Sequence, residues 1–223
     1  MKSDQTHIKL PKISIITPSY NQGQYLEQTI CSVLDQGYPN LEYIIMDGGS
    51  TDNSVEIIKK YESSIHYWVS EPDRGQSHAI NKGLQICTGD IINWLNSDDF
   101  LIPGSLSKLA LMYTNRTSDI FIIAGNAQVL RKDGTLTQRK LISSTSGWVR
   151  QLGPLYEGGI QASWFFSREL LKLLGLLNES LHFTMDIDYS IRWTRFNPEY
   201  LIENEPLAVF RVHTEAKTSK FVV

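Results

Sequence analysis

Short apolar runs alternate with amphipathic segments through the first hundred residues of the chain. The apolar runs are rich in β-branched residues and predict four strands, at residues 12–17, 41–46, 65–69 and from 91 onward. Between them, apolar residues spaced three or four positions apart predict helices that begin near Gln24, Val55 and His78. We expect Thr51 or Asp52 to cap the second of these helices. Such alternation is typical of a mostly parallel sheet with helices on its faces.

The pattern becomes less regular beyond residue 100. It predicts helices at 105–113, 168–174 and 186–194, and strands at 120–124, 161–166 and 206–212. The turn through Asp133 and Gly134 predicts a hairpin, and residues 142–159 read as a loop. Because no internal repeat or linker is visible, we expect one domain over residues 1–223. Its regular half would span about residues 12–100 and its irregular half about 101–223.

Composition and charge exclude several classes of protein. The chain has 223 residues, 41% of them hydrophobic, and a net charge of −3, so no strong positive field predicts nucleic-acid binding. No apolar run approaches the ~18 residues of a transmembrane helix, and the polar start does not resemble a signal peptide. Cys31 and Cys87 lack a C-x-x-C spacing and read as reduced thiols. We therefore expect a cytoplasmic protein; peripheral association with the inner face of the membrane, and a homo-oligomer, stay open.

The first four predicted strands all end in polar clusters. In parallel sheets of this kind, ligands bind outside the carboxyl ends of the strands, so the clusters should share one edge. Together they would make a site large enough for a nucleotide. The clusters are Thr17–Asn21, Asp47–Asp52, Glu71–Gln76 and Asn96–Asp99.

Two adjacent carboxylates, Asp98 and Asp99, close the last of these clusters. Neighbouring carboxylates repel each other unless a cation or hydrogen-bond donors compensate. Hard oxygen ligands suit Mg²⁺ or Mn²⁺, especially when substrate phosphates complete the coordination shell. The same residues could instead turn the chain and cap a helix that begins near Ser105. This stretch alone does not decide between the two interpretations.

Five motifs, in this order, resemble those of the family 2 glycosyltransferases. They are Pro18-Ser19-Tyr20-Asn21, Asp47-Gly48-Gly49-Ser50-Thr51-Asp52, Glu71-Pro72-Asp73-Arg74-Gly75-Gln76-Ser77, Asn96-Ser97-Asp98-Asp99 and Met185-Asp186-Ile187-Asp188. The resemblance runs from about residue 12 to about residue 213. It implies a GT-A fold: a mostly parallel, Rossmann-like α/β sheet flanked by helices, with a smaller mixed sheet on the acceptor side. It also implies a nucleotide-sugar donor and inversion at the anomeric carbon.

The resemblance assigns roles to individual residues of this chain. The first half would be the nucleotide-sugar-binding half, and the second would bind the acceptor. Asp47 would hydrogen-bond the uracil or thymine edge, and Asp73 and Arg74 would close over the nucleotide. The remaining donor-binding residues would be Thr17, Pro18, Tyr20 and Ser97. A divalent cation, Mg²⁺ or Mn²⁺, would bind at Asp98 and His213, and Asp186 would be the general base.

Three positions depart from the family's usual motifs. Asn96 stands where the first acid of Asp-x-Asp is usual, Gly48 where a second Asp is usual, and Met185 where a Glu usually precedes the base. An apolar neighbour would raise the pKa of Asp186 if that carboxyl is buried. Taken singly, Asp47 could merely start a glycine turn, and Asp186 could merely favour the helix dipole. Trp148 and Tyr156 could stack on a sugar, whereas Trp164 reads as a core residue.

The function that follows is transfer of a sugar from a UDP- or dTDP-sugar to a hydroxyl of a glycan or lipid-linked acceptor. By analogy, this would serve polysaccharide biosynthesis. One alternative is a module of the same fold that binds the nucleotide-sugar but has lost turnover, and Asn96 and Met185 are the residues that favour it. Another is a nucleotidyltransferase, which would need a basic glycine-rich loop after the first strand. Residues 18–23 contain no basic residue, so we discount it.

Overall fold

The computed structural model describes residues 10–140 and 160–217. Its first part alternates strand and helix as the hydrophobic pattern predicts, and each predicted element lies within a few residues of its expected position. The elements are β1 (Ile13–Ser19), α1 (Gly23–Leu34), β2 (Leu41–Asp47), α2 (Ser54–Lys60), β3 (Tyr67–Ser70), α3 (Gln76–Ile86) and β4 (Ile91–Trp94).

The second part is less regular. It contains β5 (Phe100–Leu101), α4 (Ser105–Thr114), β6 (Phe121–Leu130), β7 (Leu136–Arg139), β8 (Trp164–Ser167), α5 (Arg168–Leu174), α6 (Met185–Trp193) and β9 (Glu199–Arg211). Three 3₁₀ turns add Glu62–Ser64, Gln161–Ser163 and Thr194–Phe196. The loop expected at 142–159, with Trp148 and Tyr156, lies outside the described residues.

One sheet runs through the described residues in the order β3-β2-β1-β4-β8-β6-β9-β5, and β7 pairs with β6. The first four strands are parallel, as predicted, and β8 joins β4 in the antiparallel direction. The mixed strands of the second part thus extend the parallel part. The predicted Asp133-Gly134 hairpin forms between β6 and β7, with Leu130 opposite Leu136.

Three local predictions were wrong. Asn53, and not Thr51 or Asp52, occupies the N-cap of α2; Asp52 lies one residue earlier and closes a turn into the helix, since its carboxylate accepts from the Ser54 amide at 3.0 Å. Strand β9 begins at Glu199, well before Pro206, because it continues past a register shift opposite Asn126. The segment predicted as a strand from residue 161 starts with a 3₁₀ turn.

The core lies on both faces of the sheet. Ile15 of the central strand β1 belongs to the apolar cluster on one face, and Ile16 belongs to the cluster on the other. Such burial on both faces explains the unbroken apolar run in the sequence. At Gly83, a Cβ atom would lie 2.4 Å from the Ile16 side chain, so only glycine allows α3 to pack this closely on the sheet. Cys31 and Cys87 are free cysteines, as expected.

Within the described ranges, no helix has the length and apolar character needed to cross a membrane.

Candidate functional site

A cleft of about 1040 Å³ opens at the carboxyl ends of the parallel strands. Residues from all four polar strand-end clusters line it, so the expectation that they meet at one sheet edge is confirmed. The opposite wall comes from the second part of the chain and includes Gln161, Phe183, Asp186 and Lys217. The cleft therefore lies between the regular and irregular parts of the chain.

The turn after β2 is organised by the carboxylate of Asp47. This residue is fully buried. Its carboxylate accepts hydrogen bonds from the Gly49 and Ser50 amides at 3.2 and 2.9 Å, and from the Ser50 and Ser70 hydroxyls at 2.6 Å each. Gly49 has a φ of +81°, which favours glycine. Asp47 therefore fixes the shape of the turn, and its predicted contact with a base stays a prediction.

The loop after β1 is tied to the same turn. The Asn21 amide donates to the Ser50 hydroxyl, and the Thr51 amide donates to the Asn21 side chain, both at 2.8 Å. Above this frame the Tyr20 ring is 60% exposed at the mouth of the cleft. Pro18 also lines the cleft, whereas Thr17 is buried beneath it, with its hydroxyl 3.2 Å from that of Tyr43. The frame thus presents Pro18 and Tyr20 to the cleft.

Asp73 and Arg74 point in different directions. Asp73 lines the cleft beside Gly48, where a Cβ atom would come within 2.6 Å of its carboxylate. Gly48, which departs from the family motif, thus gives Asp73 room. The Arg74 side chain is exposed and pairs with Glu179 at 2.6 Å. Arg74 is not among the residues that line the cleft, and its predicted contact with the nucleotide stays a prediction.

The two carboxylates of the acidic turn, Asn96–Asp99, lie in different surroundings. Asp99 is buried and accepts from the Arg211 amide at 3.0 Å. Burial, together with the adjacent Asp98 charge, raises the pKa of Asp99 well above its ordinary value. Asp98 reaches the cleft and lies 2.9 Å from His213 Nε2. Ser97 also lines the cleft.

The His213 ring reaches the acidic turn from the end of β9. It is 6% exposed and packs on the Tyr25 ring with a centroid distance of 4.5 Å. Its Nδ1 atom has no hydrogen-bond partner among the described residues, whereas Nε2 faces Asp98. Asp98 and His213 therefore adjoin, as their shared predicted role requires. No group of three or more potential metal-ligating side chains occurs within residues 10–140 and 160–217.

Asp186 stands at the start of α6 and lines the cleft opposite the strand ends. Burial raises the pKa of its carboxyl, against the effect of backbone hydrogen bonds such as that from the Ile187 amide at 2.9 Å. The preceding Met185 is buried in the apolar core, in line with the apolar neighbour noted in the sequence. By contrast, Asp188 pairs with Arg192 at 3.0 Å, and Trp164 is a core residue.

Four residues of this region had no individual role predicted from the sequence, although Gln76 belonged to one of the strand-end clusters. Arg211 donates from Nε to the Asp98 carbonyl at 2.9 Å and places its guanidinium 4.8 Å from the Tyr25 ring centre. Gln161 donates to the Trp94 carbonyl at 2.7 Å. Lys217 Nζ donates a hydrogen bond to Gln76 Oε1 at 2.8 Å. Of these residues, only Arg211 could have been noticed in the sequence, because it lies two residues before His213. The contacts of Gln161, Gln76 and Lys217 join segments that are far apart in the chain.

The sequence model of the family described as Glycosyl transferase family 2 matches residues 14–175. This chain belongs to glycosyltransferase family 2. The resemblance inferred from the five motifs is therefore confirmed, and the nucleotidyltransferase alternative is excluded. The fold is the GT-A fold, as the motifs implied.

Family relatives include proteins of several bacteria. The chain is 29% identical over 94% of its length to an uncharacterized glycosyltransferase of Rickettsia typhi, of which it covers 66%. It is 38% identical over 56% of its length to the putative teichuronic acid biosynthesis glycosyltransferase TuaG of Bacillus subtilis, of which it covers 50%. The chain thus spans between about half and two thirds of these relatives.

Two solved glycosyltransferases share the fold at low sequence identity. Residues 1–349 of S. aureus TarS in complex with UDP-GlcNAc superpose with a TM-score of 0.76 at 17% identity, over 95% of this chain and 61% of that one. The mannosyltransferase PcManGT from Pyrobaculum calidifontis, in complex with GDP-Man and Mn²⁺, gives a TM-score of 0.69 at 17% identity, over 94% and 59%. At these identities the likeness establishes the fold alone.

Proposed function

We propose that this chain is an inverting glycosyltransferase that moves a sugar from a UDP- or dTDP-sugar to an acceptor hydroxyl. One observation carries the proposal: the Asp186 carboxylate, its pKa raised by burial, lines the same cleft as the polar ends of four parallel strands. A raised pKa suits a group that must accept a proton near neutral pH. The wall formed by the polar strand ends, which we call the donor wall, would bind the nucleotide-sugar. Asp186 on the opposite wall would be the base.

The donor would lie along the strand ends. Tyr20 offers an exposed aromatic ring for the base, beside Pro18. Asp73 lies on the same wall and can accept hydrogen bonds from sugar or ribose hydroxyls. TarS, which binds UDP-GlcNAc, shares the fold and supports a uridine nucleotide. Asp47 would act through the turn that it holds, and Ser97 would face the donor beside the acidic turn.

The cleft needs positive charge if it is to hold a diphosphate. Five of its lining residues are acidic: Asp73, Asp98, Asp99, Asp186 and Glu215. The Asp98 carboxylate, which lies 2.9 Å from His213 Nε2, is the kind of hard oxygen ligand that suits Mn²⁺ or Mg²⁺. Asp98 and His213 would therefore hold the cation. When bound, it would supply Lewis-acid stabilisation of the charge on the leaving diphosphate.

The reaction would then be a single displacement. Asp186 accepts the proton of the acceptor hydroxyl while the hydroxyl oxygen bonds to the anomeric carbon from the face opposite the diphosphate. The bond from the anomeric carbon to the diphosphate oxygen breaks, and the nucleoside diphosphate leaves with the electron pair. One carboxylate thus suffices, and inversion follows because there is one attack.

The acceptor would approach over the wall from the second part of the chain. Phe183, three residues before Asp186 in the chain, is 44% exposed and lines the cleft. An exposed aromatic ring can stack on a sugar face. The relative named for teichuronic acid biosynthesis supports a glycan or lipid-linked acceptor and a role in polysaccharide assembly. The division into donor-binding and acceptor-binding halves, within one domain, fits this placement.

Calorimetric titration tests the donor site. The purified chain would be titrated with UDP, dTDP and GDP, each with Mn²⁺ and with EDTA. We expect UDP or dTDP to bind, and to bind more weakly with EDTA, because the cation would no longer compensate the charge of the diphosphate. Binding of GDP alone, or of no nucleotide, would contradict the proposal.

Two variants localise the metal effect. Asp98→Ala should bind the nucleotide equally well with Mn²⁺ and with EDTA, because it has lost the carboxylate that faces His213. Asp188→Ala should behave as the wild type, since Asp188 pairs with Arg192. A Mn²⁺ effect that survives in Asp98→Ala would remove the metal assignment.

Nucleotide release separates turnover from binding. Incubation with UDP-sugars should release UDP slowly by hydrolysis, and faster with a suitable acceptor. Tight UDP binding with no release from any UDP-sugar would favour the module that binds without turnover, for which Asn96 and the buried Met185 are the supporting residues.

A further inference from the structure

A lysine from the far end of the described chain reaches the donor side of the cleft. Lys217 Nζ donates to Gln76 Oε1 at 2.8 Å and to the His182 carbonyl at 3.3 Å. Gln76 opens α3 on the donor side, and His182 precedes the segment that carries Asp186. Lys217 therefore bridges the two walls of the cleft.

The contacts continue from Lys217 to the acidic turn. Gln76 Nε2 donates to Asn96 Oδ1 at 2.7 Å, and Asn96 Nδ2 donates to Asp99 at 3.3 Å. In both side-chain amides, the oxygen accepts a hydrogen bond from the preceding member of the series and the nitrogen donates to the following one. The series runs from Lys217 through Gln76 and Asn96 to Asp99. A carboxylate at position 96 could not donate to Asp99, so Asn96 is specifically suited to complete this chain of hydrogen bonds.

The part of the cleft around the ammonium group carries more acidic than basic side chains. Lys217 interacts electrostatically with Asp73 and Asp98, which both line the cleft. Two of its three N–H donors serve Gln76 and His182, which leaves one for a further acceptor. Among the described lining residues, Lys217 and Arg139 are the strong cations beside five acidic residues. A dianionic diphosphate would need such compensation.

We propose that Lys217 binds the diphosphate of the donor, and that Gln76 and Asn96 are positioning residues that hold its ammonium group. This inference rests on the proposed function, since it assumes a nucleoside diphosphate in the cleft. In this chain, Lys217 would supply part of the positive charge that the donor needs, beside the cation at Asp98.

The test compares UDP with uridine, which lacks the phosphates. Lys217→Met should weaken UDP binding about tenfold in calorimetry. Uridine binding, followed by NMR titration because it is weak, should not change. Lys217→Arg should retain most of the UDP affinity. Lys172→Met is the matched control, because Lys172 is exposed on α5 and pairs with Glu169, and it should bind both ligands as the wild type does.

A double-mutant cycle tests the positioning role of Gln76. Gln76→Met should weaken UDP binding about threefold and leave uridine binding unchanged. In the Lys217→Met background it should have no further effect, because the group that it holds is gone. Additive losses would overturn the positioning role.

Three outcomes separate the inference from the proposed function. Equal losses of uridine and UDP in Lys217→Met would assign Lys217 a structural role and overturn the inference. Unchanged UDP affinity would also overturn it, while the donor site would stand. If the wild type bound no nucleoside diphosphate, the proposed function would fail and this inference with it.

Discussion

The two walls of the cleft are built in different ways. On the donor wall, side chains of Asn21, Asp47 and Asp52 accept from backbone amides of the neighbouring turns. The acidic turn of the same wall is held by His213 and Arg211, which contact Asp98 across more than one hundred residues of sequence. On the opposite wall, the Phe183 side chain is 44% exposed and lines the cleft beside Asp186. Polar contacts thus hold the donor wall, whereas the opposite wall presents an exposed aromatic side chain.

This difference indicates how the two walls would serve transfer. A turn whose amides are already bonded loses little freedom when a nucleotide binds, so the donor wall is preorganised. Asp186, by contrast, stands at the first turn of a nine-residue helix beside exposed apolar side chains. We expect substitutions on the donor wall to affect stability and binding, and substitutions near Asp186 to affect turnover.

The largest expected effect comes from Asp186→Asn. The variant should lose about 10²- to 10⁴-fold in transfer rate, because the amide cannot accept the acceptor proton. UDP affinity should stay the same, since the donor wall is untouched. Both would be measured on one preparation, by UDP release and by calorimetry.

Asp188→Asn is its control on the same helix. It removes the ion pair with Arg192 and should cost at most about 1 kcal/mol in the free energy of unfolding, with the transfer rate retained. Loss of UDP affinity in Asp186→Asn would refute the division between the walls. An equal loss of transfer in Asp188→Asn would refute the choice of base.

Asp47→Ala should have the largest effect on stability. It removes the acceptor of hydrogen bonds from Gly49, Ser50 and Ser70 and leaves buried donors unpaired. We expect a loss of about 3 kcal/mol in the free energy of unfolding, measured by urea denaturation. Asp73→Ala, which gives up only the bond from the Gly75 amide at 2.7 Å, should cost about 1 kcal/mol and mainly weaken UDP binding.

Asp47→Asn distinguishes two roles of Asp47: its hydrogen bonds within the turn, and the contact with the nucleobase that the family resemblance implies. If the variant keeps its stability but loses its preference for UDP over GDP, Asp47 would be a ligand-binding residue. A large loss of stability would place its role in the turn.

The transfer rate should depend on pH through Asp186. Because burial raises the pKa of Asp186, its ionised fraction begins to fall at a higher pH than that of an ordinary aspartate. The apparent kcat/KM should therefore fall about tenfold per pH unit below this raised pKa. Asp188→Asn should show the same profile; an acid limb at the ordinary aspartate pKa would contradict the assignment.

The same shift predicts the pH dependence of stability. A raised pKa in the folded chain means that the stability from the protonated Asp186 is present at low pH. It is lost as the pH rises through the folded-state pKa. Asp186→Asn should therefore melt at a higher Tm than the wild type at neutral pH, and the difference should shrink toward pH 4. A constant difference would indicate that Asp186 is solvated.

The two walls also differ in how far the sequence predicts them. The strand-end clusters of the donor wall follow from apolar runs and turn residues, since parallel strands bring their carboxyl ends to one edge. The contact of His213 with Asp98 was implied only by the family motifs. The bonds of Lys217 and Gln76 depend on how β9 and α3 are placed, and no local pattern specifies that. The path of β9 before Pro206 was missed because a register shift interrupts its alternation.

The smallest expected effect concerns Arg74, and it tests whether the donor wall is as closed as its hydrogen bonds indicate. Arg74 is exposed and paired with Glu179, so Arg74→Ala should cost at most about 1 kcal/mol in stability. If the pair opens and Arg74 closes over the nucleotide, Arg74→Ala should weaken UDP binding severalfold. Glu179→Ala, which releases the arginine, should not weaken it. Equal UDP affinity in both variants would show that Arg74 does not contact the nucleotide. The donor wall would then bind UDP without any movement of Arg74.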